Sequence, residues 1–153
     1  MKVYKVREIL EDSLFAVKEK FLSHNIDLQI QMEGIENLEL YCNKIALNQV
    51  IVNLLSNSFD AVRAQTTGEK VVKFGITDLG DFLECYVSDS GPGVPLDIQE
   101  KIYEPFFTTK ELGAGTVLGL SMSKGIVEKQ HKGKLFYNKE YPPTCFIIQI
   151  PKD

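Results

Sequence analysis

The 153-residue chain has no tryptophan, two histidines, three cysteines and no excess of positive charge. Each shortage closes a class of function. Cys42, Cys85 and Cys145 are odd in number, widely spaced and set in apolar sequence. That suits reduced, buried thiols, and neither a disulfide framework nor a zinc site. A net charge of -4 offers no clustered basic surface to a phosphate backbone, so no nucleic-acid partner is expected. No apolar run approaches the roughly 20 residues that span a bilayer. The opening segment Met1–Ser13 mixes charges of both signs and lacks the apolar stretch of a signal peptide. This segment is therefore expected to make no membrane contact and to work in the cytoplasm, whether or not a parent protein is membrane-anchored. No repeat, low-complexity tract or linker divides the chain, and its length suits one core and one domain over residues 1–153.

What is present is ordinary soluble-protein material, 44% hydrophobic and 25% charged. Val6, Ile9, Leu10, Leu14, Val17 and Phe21 recur at helical spacing, so the first twenty or so residues read as an amphipathic helix. Ile26 to Met32 alternates apolar and polar, as a half-buried strand does. Asn43 is placed to cap a long helix that ends near Thr66, Thr67 and Gly68. Two strands, VVKFGIT and FLECYVS, are joined by a hairpin turn over Asp78 to Asp81. After a Gly- and Pro-rich loop come a short helix around IQEKIYE, an aperiodic segment PFFTTKELGAGT, a helix from about Leu118, and the strands GKLFYN and CFIIQI. Strands grouped around an interposed helical region predict an α+β fold, a mixed sheet packed against helices on one face.

Four patterns carry chemistry. Asn53 and Asn57 lie four apart, on one face of the long helix and one turn from each other. A carboxamide offers one oxygen to a hard cation and two N–H donors to phosphate oxygens, and Mg²⁺ takes few protein ligands besides water and substrate phosphates. The same residues would also sit on the polar side of any amphipathic helix. Asp89-Ser90-Gly91-Pro92-Gly93 follows a strand. An ionised Asp there can accept from the exocyclic amine of adenine, and glycines allow a flat base close to the backbone; the same composition also makes an ordinary turn. In Glu104 to Lys110, paired aromatics suit a core position, while a lysine after two hydroxyls can reach a polyphosphate as a point charge. Gly113 to Leu120 opens onto a helix, where backbone N–H groups make an anion site. It is no Walker A loop, since no Gly-Lys-Ser/Thr closes it. It is no dinucleotide fingerprint either, and no HRD or DFG follows as in protein kinases.

In this order the four patterns, with NQVIVNLLSNSFDA and EPFFTTK as the most specific, resemble the N, G1, F and G2 boxes of sensor-histidine-kinase ATP-binding domains, the GHKL or Bergerat ATPases. The resemblance runs from about Asn43 to the C-terminus. It implies a two-layer α/β sandwich with a mobile ATP lid around Phe106 to Gly115, and ATP and Mg²⁺ as ligands. By the same resemblance Asn53 and Asn57 serve the metal and the phosphates; Lys110, as a point charge, is expected to be a third catalytic group that supplies the positive charge missing at Asp60. Asp89 reads adenine, and Gly91, Gly93 and Val94 shape its pocket. Asp60, Phe106, Thr109, Gly113, Gly115, Thr116, Val117, Leu118, Gly119 and Leu120 then frame the phosphates and the lid.

The sequence departs from the family pattern at Val117, where a third closely spaced glycine is usual, and at Asp60, where many relatives carry a basic residue. Before the last strand, Tyr141-Pro142-Pro143 replaces the usual Gly-rich bend. Asn53 stands where hydrolytic relatives of the gyrase and mismatch-repair types carry a water-activating glutamate, and an amide is no general base. Neither His24 nor His131 is followed by an acidic residue, as a phosphoacceptor histidine of this family would be; both read as surface or structural. The resemblance therefore implies the catalytic part of a kinase in two-component signalling. Its γ-phosphoryl acceptor is a histidine on a separate dimerisation domain, in the parent chain or in trans, with a response regulator downstream in the phosphorelay. A stand-alone serine kinase of the anti-sigma-factor type and a nucleotide-sensing module without transfer are the alternatives.

Overall fold

The computed structural model describes residues 1–91, 101–104, 119–138 and 144–152. Its first element is a strand, β1 (Lys2–Lys5), and helix α1 (Val6–Ser23) begins only where the helical period begins, at Val6. The expectation of helix from the N-terminus is corrected there. β1 pairs antiparallel with β3 (Glu39–Cys42), Lys2 opposite Cys42, in a two-stranded ribbon separate from the main sheet.

The main sheet has five strands in the order β2-β4-β5-β7-β6: β2 (Asp27–Gln31), β4 (Val71–Asp78), β5 (Phe82–Asp89), β7 (Thr144–Pro151) and β6 (Lys134–Tyr137). β2 runs parallel to β4 and the other neighbours are antiparallel, so the sheet is mixed. The β4–β5 hairpin turns where Asp78, Gly80 and Asp81 place it. Gly80 has φ +94, the left-handed region that favours glycine, and its N–H donates to Asp78 Oδ1 at 2.9 Å.

Helix α2 (Lys44–Arg63) is the central element of the helical layer. Asn43 caps it as expected, its Oδ1 accepting from Ala46 N–H at 3.1 Å. Leu47, Val50, Leu54, Leu55, Phe59 and Val62 form its buried stripe. Side chains of α1 (Ile9, Leu10), α2 (Leu47, Val50, Ile51) and the sheet (Ile76, Leu83, Ile148) surround an apolar void of about 40 Å³, which marks where the two layers meet. This mixed sheet packed against helices is the α+β sandwich expected.

Lys101–Tyr103 makes a single 3₁₀ turn that ends before Glu104; residues 98–100 of the expected IQEKIYE helix lie outside the described residues. Helix α3 (Gly119–Gly125) widens directly into a π turn over Ile126–Gln130. Buried His131 closes it. Its Nδ1–H donates to the Ile126 carbonyl (2.8 Å) and its Nε2 accepts from Asn43 N–H (3.0 Å), roles set by a carbonyl that can only accept and an amide that can only donate. His131 thus joins the start of α2 to the end of α3 in a structural role. His24 is exposed at the end of α1, edge-on to Phe59 with ring centroids 4.9 Å apart.

Candidate functional site

Because α2 packs its apolar stripe on the sheet, the opposite stripe is polar yet only half exposed. Asn53, Asn57, Asp60 and Ala61 all lie on it with intermediate burial. Asn53, Asn57 and Ala61 are successive i+4 neighbours, so they rise as a column about 12 Å long. At the lower end Asn53 Nδ2 donates to Ser123 Oγ of α3 at 3.2 Å, and Ser123 is only 3% exposed. With Gln49, Val52, Ser56, Met122 and Ile126 these two residues line a cavity of about 190 Å³ between α2 and α3.

The upper end of the column meets the end of β5. Asp89, the last residue of that strand, is 4% exposed, and its Oδ1 accepts from Gly91 N–H at 2.8 Å. Gly91 is itself buried against α2. A β-carbon on it would come within 2.8 Å of Asp89 Oδ1 and 3.2 Å of the Ala61 β-carbon. The asparagine pair and the DSG turn are thereby brought onto one face of one helix. Leu120, on α3, packs partly buried against the core, and Gly119 starts that helix. Gly93, Val94, Phe106, Thr109, Lys110, Gly113, Gly115, Thr116, Val117 and Leu118 lie outside the described residues, and the expected lid with them.

Three participants escaped the motif reading. Ser90 does not offer its hydroxyl outward: Oγ accepts from Val71 N–H (3.0 Å) and donates to Gln65 Oε1 (3.0 Å). Gln65 in turn donates from Nε2 to the carbonyls of Thr67 (2.7 Å) and Glu69 (3.0 Å). Ser123 is the third. The sequence signal for Ser90 was its place inside the DSG turn; for Gln65 and Ser123, whose partners are 25 and 70 residues away, it held none.

The residues fit a nucleotide with magnesium. A buried carboxylate beside a glycine with no room for a side chain suits an adenine edge. No group of three or more His, Cys, Asp and Glu that could hold a metal by itself exists among the described residues. A metal held here would have to share amide oxygens with substrate phosphates, which suits Mg²⁺. Burial raises the thiols of Cys85, to about 12, and Cys145, to about 11, with nearby Glu84 adding to both. Neither acts as a thiolate nucleophile near neutral pH.

The family of histidine kinase-, DNA gyrase B- and HSP90-like ATPases matches residues 42–153. The chain belongs to that family, and within it is a catalytic domain of the histidine-kinase type. It is 42% identical over 116 residues to the sensor kinase CckA of Brucella abortus, a match covering 68% of this chain and 12% of that protein. It is 30% identical to the catalytic domain of histidine kinase ThkA in a nucleotide-free form, with a TM-score of 0.86, covering 99% of this chain and 95% of that one. ThkA solved in complex with the response regulator TrrA also matches, at 28% identity and TM-score 0.82, covering 99% of this chain and 42% of that one. The chain spans 12–24% of the length of the curated relatives it matches. No helix among the described residues is long and apolar enough to cross a membrane.

Proposed function

We propose that this domain binds Mg·ATP along the Asn53–Ala61 face of α2 and presents the γ-phosphoryl group to a histidine carried by a separate dimerisation domain. Asp89 accepts from the adenine amine at the upper end of the column. Asn53 and Asn57 meet the metal and the phosphates lower down, on the side where α3 begins. Asp60, the acidic neighbour on the same face, sits beside the phosphates, and Lys110 supplies the positive charge. In the transfer, the bond from the γ-phosphorus to the β,γ-bridging oxygen breaks and the imidazole nitrogen takes the phosphoryl, leaving ADP. The domain contributes position and charge neutralisation and no nucleophile. The bound Mg²⁺ neutralises charge on the phosphates.

The observation that carries this reading is the convergence of Asp89, Gly91, Asn57 and Asn53 on one helix face. Asn53 in place of a carboxylate supports transfer over hydrolysis. The likeness to ThkA, a kinase seen with a response regulator, supports a two-component setting, and the small share of its curated relatives' length that the chain spans supports reading it as the catalytic part of a larger protein.

The test is labelled ATP supplied to the domain with a histidine-bearing dimerisation domain. Acid-labile label should move to the second protein and be lost with Asn57→Ala or Asp89→Asn. Label on a serine of an added protein would favour the anti-sigma-factor type of kinase, and binding of Mg·ATP without transfer to either would favour the sensing module. Undiminished labelling by either variant would remove the site assignment.

A further inference from the structure

We propose that Gln65 is a positioning residue for base recognition: acting through Ser90, its carboxamide fixes the turn that aims Asp89 at adenine. This rests on the reading of Asp89 as the adenine acceptor.

The turn Asp89-Ser90-Gly91 leaves the sheet at the end of β5, where strand pairing with β4 runs out at Val72 opposite Asp89. One further backbone bond, Ser90 N–H to the Val71 carbonyl at 3.0 Å, carries the register past that point. Beyond it, among the described residues, the turn is flanked by two side-chain contacts. On one side Gly91 lies against Ala61 of α2. On the other, Ser90 Oγ is held between Val71 N–H and Gln65 Oε1.

Gln65 is suited to this by having both an acceptor and two donors on one planar group. Its oxygen takes the Ser90 hydroxyl hydrogen and its nitrogen serves Thr67 and Glu69 together. The loop that brings those two carbonyls to one nitrogen turns through Gly68, at φ +82, where a β-carbon would sit 3.3 Å from Gln65 Nε2. Gln65 therefore braces the loop after α2 and the DSG turn at once. Asp89 and Gly91 are each one peptide unit from Ser90, so movement of Ser90 moves both. Base discrimination should be lost before phosphate binding, which is made farther down α2.

Equilibrium binding of ADP and of inosine diphosphate, which lacks the exocyclic amine, tests this in the presence of Mg²⁺. The wild type should prefer ADP, because IDP presents a carbonyl oxygen to Asp89 where adenine presents an N–H. Gln65→Leu should reduce the ADP-to-IDP affinity ratio about tenfold, with IDP affinity changed less than about threefold, since only the base contact is disturbed. Ser90→Ala should do the same, and the double variant should go no further, the signature of residues acting as one unit. A drop in both affinities together, with the ratio unchanged, would mean a purely structural role and overturn the proposal. Asp89→Asn separates the layers: if it leaves the preference intact, the reading of Asp89 fails. If it erases the preference while Gln65→Leu and Ser90→Ala retain it, the role of Gln65 alone is wrong.

Discussion

At Gly91 the backbone does not have a positive φ. What requires glycine is space, because a β-carbon would press on Asp89 Oδ1 and on the Ala61 side chain together. Gly91→Ala should therefore displace the carboxylate that it also holds by hydrogen bond. The expected loss is about tenfold in ADP affinity, of the order of one hydrogen bond, measured by calorimetry. Ala61→Gly added to it should recover part of that loss, at a cost of about 1 kcal/mol in helix stability. A ligand affinity unchanged by Gly91→Ala would show that the crowding is relieved elsewhere. At this scale the sequence was informative where a motif is local. The four-residue spacing of Asn53 and Asn57 already placed both on one face, and the DSG cluster already ended a strand. It was silent about Ser123, Gln65 and Ala61 as partners, because a hydrogen bond across 25 or 70 residues, or a packing contact across 30, leaves no periodic trace.

Among the elements, α2 and the β4–β5 hairpin were readable because their signals are local: a capping asparagine, a long apolar stripe, and an Asp and a Gly in a four-residue turn. The β1–β3 ribbon was not. Each strand has four residues, too few for an alternation to stand out, and the partners are tens of residues apart. The π turn after α3 was equally hidden, since one wider turn scarcely alters a helical hydrophobic pattern. That turn sets the Ile126 carbonyl and His131 against the cap of α2, and both caps can be weighed. Asn43→Ala should cost about 1 kcal/mol through the lost side-chain bond to Ala46. His131→Ala should cost more, roughly 2–3 kcal/mol, because it leaves the part-buried Asn43 N–H without its partner and a cavity where a buried ring stood. Urea denaturation would check the order. Equal losses would mean that water replaces the imidazole.

For the whole molecule, the three cysteines that excluded a disulfide framework become reporters of global opening. All three are buried and free. Burial raises Cys85 to about 12 and Cys145 to about 11, against 9.0 for an unhindered thiol, and raises Cys42 as well. The folded state therefore keeps these protons where the unfolded chain releases them. Unfolding then loses protons, and stability must fall as pH rises from about 9 toward the folded values. Each such thiol adds a slope of at most about 1.4 kcal/mol per pH unit. Net charge that is already negative at pH 7 grows more so over the same range and adds self-repulsion. Replacing Cys85 and Cys145 together by alanine should flatten, without abolishing, the decline in stability between pH 9 and 11 followed by denaturant titration. A decline as steep as the wild type's would show that those two thiols ionise in place. Native protein at pH 8 should resist alkylation until denaturant opens it, with Cys42 and Cys85 reacting together as the core they share comes apart.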